Sequence, residues 1–167
     1  IAFESDERVE SLLREYGSSV TGNTAHDGEP ALQFAIRKGR TRIAKLLLGR
    51  GVGVDVHRRH ADLGTTALHV AAQTGNAELV RRLAELGADV ESQADDGTSP
   101  AYAAAANGHM EVVTLLAKLG AVFSASAIDG EHLFAAAGQG DSEVVRRLAE
   151  LGANVDAPGD NGFTPIL

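Results

Sequence analysis

Six histidines and the adjacent carboxylates Asp95 and Asp96 are the residues of this chain whose types and spacing suggest chemistry. His57 and His60 stand three apart with Arg58 and Arg59 between them, which offers two imidazoles where zinc takes about four ligands. No third ligand stands nearby, so the pair reads as part of a solvated loop. Asp95 and Asp96 could share a proton only if burial raised one pKa, and a turn in water gives no reason for that. There is no Cys for a thiol nucleophile, no G-x-S-x-G, no H-E-x-x-H and no G-x-x-x-x-G-K-[ST]. No catalytic residue, no metal ligand and no cofactor is expected, and the chain is not read as an enzyme.

Composition narrows the partners. A formal charge of −8 argues against a general nucleic-acid binder, which would cluster Lys and Arg, and favours a protein or peptide of basic or mixed charge. No stretch resembles a signal peptide or a bilayer-spanning apolar run, so no membrane insertion is expected. A cytoplasmic or nuclear setting is expected of a chain without Cys. With Ile1 at the start and Leu167 inside a motif, the sequence reads as a fragment of a longer chain. Hydrophobic residues make up 44% but aromatics only 4%, so the side chains to be buried are small. They suit thin, closely stacked helices.

The elements that must position these residues are set out by glycine. Gly64 to Gly97 and Gly75 to Gly108 are both steps of 33, and 14 of the 19 glycines fall on one register running from Gly17 to Gly162. Such a unit needs sharp turns at fixed places, and glycine makes them without a Cβ penalty. Glu78 to Val90 (ELVRRLAELGADV) and Glu143 to Val155 (EVVRRLAELGANV) are nearly the same words. A chain that repeats at this period is a stack of small units.

Gly64, Thr66, Ala67, Leu68, His69 and Ala71 resemble the G-x-T-P-L-H-x-A signature of the ankyrin repeat, with Ala67 in place of Pro, and Gly75, Leu79, Val80, Leu83, Gly87 and Ala88 fit the rest of its pattern. The tetratricopeptide repeat has a similar period but leaves no room for helix-poor segments such as Gly87 to Gly97. The resemblance implies an all-α, curved α-solenoid of paired antiparallel helices joined by short β-turn or hairpin fingers. The units are expected at 1–24 (degenerate N-terminal repeat or cap), 25–60 (with a three-residue finger insertion), 61–93, 94–126, 127–158 (degenerate) and 159–167 (the start of a truncated repeat). Inner helices are expected near Thr66 to Thr74 and Ser99 to Asn107, and outer helices near Ala77 to Leu86 and Met110 to Leu119. Pro30 is expected at a first helical position, where its missing N–H costs nothing.

The resemblance also implies roles. His69 is expected to tie adjacent loops by hydrogen bonds, and His109 to open an outer helix. Partner contacts in such a scaffold come from the finger tips and the exposed ends of the inner helices. The finger residues are Asp62, Leu63, Thr65, Asp95, Asp96, Thr98 and Asp129, with Arg58 and Arg59 on the inserted loop. The helix-end residues are Arg37, Lys38, Gln73, Thr74, Ala106, Asn107 and Gln139. The finger aspartates form an acidic row, with the two arginines expected to hold an acidic group at one end. The function implied is protein–protein interaction by a scaffold module. The alternative is an accessory substrate-recruiting or sensing domain of a larger enzyme or receptor.

Overall fold

The computed structural model describes residues 29–49 and 55–121, together with positions 142, 145, 146, 149, 154 and 156. Among these residues the chain forms six helices: α1 (Ala31–Arg37), α2 (Thr41–Gly49), α3 (Ala67–Gln73), α4 (Ala77–Glu85), α5 (Pro100–Ala106) and α6 (Met110–Lys118). They pair as α1 with α2, α3 with α4 and α5 with α6. Inner helices α1, α3 and α5 then pack on one another in order, as do outer helices α2, α4 and α6. The units expected at 1–24 and 159–167, and most of 127–158, lie outside the described residues.

The two rows bury differently, and their sequences say why. In α3 every residue from Ala67 to Ala72 is buried, and α5 buries Pro100, Ala101, Ala103, Ala104 and Ala105. An inner helix has neighbours on three sides, so alanine serves where a larger side chain would hold those neighbours apart. The outer helix α4 buries only Leu79, Val80 and Leu83 and turns Glu78, Arg81, Arg82 and Glu85 to solvent. That is the one-sided stripe of a surface helix. Leu68, Leu79, Leu83, Val112, Val113 and Leu116 are wholly shielded and make one continuous cluster across the units.

The register glycines Gly39, Gly64, Gly75, Gly87, Gly97, Gly108 and Gly120 all take positive φ. Space adds a second constraint at two of them. A Cβ on Gly64 would overlap the Asp95 carboxylate and the Arg59 guanidinium, and one on Gly75 would come 2.6 Å from His109 Nδ1. These glycines let one repeat lie against the next.

The starts of α4 and α5 are capped by side chains. Asn76 Oδ1 accepts the Leu79 N–H at 3.1 Å, while its amide donates to Thr41 Oγ1 at 3.2 Å and joins α4 to α2. Ser99 Oγ accepts the Tyr102 N–H at 3.2 Å, with Pro100 at the first helical position. Pro30 differs from its expected place. It is the N-cap of α1, with ψ 139°, because the residue before the first turn is extended and proline's fixed φ fits there too.

Truncating Leu83 or Leu116 to Ala should cost about 2–5 kcal/mol, as loss of a fully buried leucine does. Urea unfolding of each variant measures it, and a loss below about 1 kcal/mol would mean the leucines are not core.

Candidate functional site

The site is best built from the hydrogen bond that joins one unit to the next. His69 occupies the third helical position of α3, and its Nδ1 accepts the Thr66 backbone N–H at 3.1 Å. A ring nitrogen that accepts carries no proton, so the neutral ring's hydrogen sits on Nε2. Nε2–H then donates to the Thr98 carbonyl, 3.0 Å away on the next finger. Burial, the largest cause, lowers the His69 pKa below its ordinary value, because a charged imidazole is disfavoured away from water.

The same tie holds the preceding unit with a different side chain. By register from Gly28 and Gly64, Gln33 stands where His69 stands, and its Nε2 donates at 2.9 Å to the carbonyls of Arg58 and Thr65. Pro30 stands where Thr66 does and has no N–H to give. The Gln33 carboxamide oxygen accordingly has no hydrogen-bond partner. His109 adds a tie in the opposite direction, its Nε2 lying 3.0 Å from the Gln73 carbonyl.

These ties bring the fingers side by side. In the finger before α5, the Ala94 N–H meets the Thr98 carbonyl at 2.9 Å, and in the finger before α3, the His60 N–H meets the Thr65 carbonyl at 2.7 Å, a loop one residue longer. The Asp95 N–H donates to the Leu63 carbonyl at 3.1 Å, tip to tip. Above that bond Arg59 Nη2 pairs with Asp95 Oδ1 at 2.6 Å, both side chains about half exposed. Arg59 is therefore engaged with the neighbouring finger, unlike the expectation that it holds an acidic group at the end of the row.

Fingers and inner helices enclose a groove of about 830 Å³ that crosses the three helix pairs. Of the residues singled out from the sequence, Arg37, Asp62, Leu63, Thr65, Gln73, Asp95, Asp96, Thr98, Ala106 and Asn107 line it. Lys38, Arg58, Arg59 and Thr74 lie outside that lining, and Asp129 and Gln139 lie outside the described residues. Arg37 forms a bidentate pair with buried Glu29, at 3.0 and 2.5 Å, and its guanidinium lies 5.4 Å from the centre of the Phe34 ring. Asp96 accepts the Thr98 N–H at 2.9 Å, and hydrogen bonds from the Thr98 backbone and side chain lower its pKa. Gln33, Val70, Tyr102 and Ala103 also line the groove and went unmarked in the sequence. The signal for Tyr102 was present, because it falls five residues after Gly97 as His69 does after Gly64.

His60 lines this groove, whereas His57 lines a separate hollow of about 380 Å³ with Asp89 and Glu91. Among the described residues no group of three or more His, Asp or Glu could hold a metal ion, and no helix is long and apolar enough to cross a membrane.

Comparison with known proteins gives a family model described as ankyrin repeats (3 copies), which matches residues 1–94 and 50–127. The chain is 33% identical over 85 residues, 51% of its length, to the E3 ubiquitin-protein ligase KEG of Arabidopsis thaliana. It is 36% identical over 81 residues (48%) to an ankyrin repeat-containing protein of Treponema pallidum, and 46% over 63 residues (38%) to ankyrin repeat domain-containing protein 29 of Danio rerio. The matches cover 5%, 26% and 20% of those proteins, so the chain spans a small part of each.

The His69 geometry sets a pH dependence. Unfolded, this histidine takes its proton near pH 6.5, and folded only at lower pH. The unfolded chain thus binds more protons as pH falls, and stability falls with it by up to about 1.4 kcal/mol per pH unit below that value. Chemical unfolding at pH 7.5 and 5.5 should show a smaller decline in His69→Gln than in the parent; equal declines would remove His69 from the effect.

Proposed function

The chain belongs to the ankyrin-repeat family, and from that premise we propose that it is a protein–protein interaction module that holds a partner protein or peptide along the finger and inner-helix groove. The observation that carries the reading is the convergence of side chains from three helix pairs on one groove. Its lining mixes exposed polar groups with apolar surface. Hydrogen-bonded ties beneath an exposed rim suit recognition, since they leave little ordering cost to be met when a partner docks.

The partner is proposed to be basic or of mixed charge, on the net −8 of the chain and the aspartates at the finger tips. A second reading has one observation in its favour. The similarity to a stretch covering 5% of an E3 ubiquitin-protein ligase fits a recruiting or sensing segment of a larger protein whose chemistry lies elsewhere. Both readings assign the groove the same task.

The test is affinity capture from a cell lysate, run in parallel with Ala106→Arg, which obstructs the groove, and Arg81→Glu on the outer face. A specific partner should be retained by the parent and by Arg81→Glu, and should weaken at least about tenfold with Ala106→Arg, a loss of about 1.4 kcal/mol. Equal retention by both variants would exclude the groove as the binding surface.

A further inference from the structure

Charge in the groove does not follow the count of aspartates. Asp95 is paired with Arg59, and Glu29 with Arg37. That leaves Asp62 and Asp96 as lining carboxylates with no ion pair among the described residues. Between them lies an apolar feature. Leu63 occupies, by register before Gly64, the place that Asp96 holds before Gly97, and it is 58% exposed. A single exposed leucine is ordinary, but Tyr102 and Val70 line the same groove, so Leu63 adds to an apolar surface shared with them.

We propose that the groove reads a short extended segment of a partner protein that carries one large apolar side chain beside one or two basic residues. This rests on the interaction reading above and adds the chemistry of the occupant. The apolar side chain covers Leu63 and packs toward Tyr102, while the basic residues meet Asp62 and Asp96. Arg59 restricts the charge that can be read, because it removes Asp95 from the row. Among the described residues a long polybasic tract would find only two lining carboxylates without an ion pair, beside an apolar wall. A second copy of the chain is disfavoured by its own charge of −8.

The experiment is selection from a displayed random-peptide library with the 167-residue chain, followed by anisotropy measurements on the selected peptides. The selected sequences should pair an apolar residue with Lys or Arg. Asp62→Asn with Asp96→Asn should weaken them on the order of tenfold at low salt and little at high salt. Leu63→Ser should weaken them on the order of tenfold at either salt, and Arg59→Gln should shift selection toward a second basic residue. Binders without this pairing, a basic preference that survives loss of both aspartates, or an empty selection would overturn the proposal. Peptides with the expected pairing that bind Ala106→Arg as tightly as the parent would instead sink the groove reading itself.

Discussion

One hydrogen bond, from the side chain five residues after the glycine that opens a unit to the carbonyl just past the glycine that opens the next, fixes how the first two described repeats sit on their neighbours. His69 Nε2 to the Thr98 carbonyl and Gln33 Nε2 to the Thr65 carbonyl are two instances of it. A solenoid has no single core, so contacts between neighbours carry the coupling that tertiary packing supplies elsewhere. Hydrophobic burial across the rows supplies most of the stabilisation but is non-directional. The tie supplies direction. Without it the fingers could slide against each other while the leucines stayed buried.

The tie is also buried, which makes it exacting. A polar group shut from water must find its partner or cost free energy, and His69 meets that demand by using both ring nitrogens, one accepting and one donating. Gln33 meets half of it. Its donors are satisfied, but its oxygen is left over where proline replaces the residue that would have supplied an N–H. The two repeats therefore reach the same geometry with different completeness. At the surface the requirement relaxes, and Arg59 with Asp95 can clasp adjacent fingers without the same desolvation cost.

Much of the fold was legible because glycine spacing and hydrophobic period report on local geometry. The described inner and outer helices of the two central units begin and end within a residue or so of the positions expected from sequence. The groove residues were legible to the extent that they follow the register, as Asp62, Gln73, Thr98 and Asn107 do. The Arg59–Asp95 pair was not, since the two residues lie 36 apart in sequence and their meeting depends on the path of a loop that breaks the period. Gln33 was hidden for another reason. A motif looks for imidazole, and an amide that makes the same bond does not resemble one.

The most direct test of the tie is the protonation state and tautomer of His69, read by long-range proton–nitrogen-15 correlation NMR at neutral pH. The account predicts a neutral ring with its hydrogen on Nε2. A ring protonated on both nitrogens, or one carrying its hydrogen on Nδ1, would contradict it, because neither can accept the Thr66 N–H while donating to the Thr98 carbonyl.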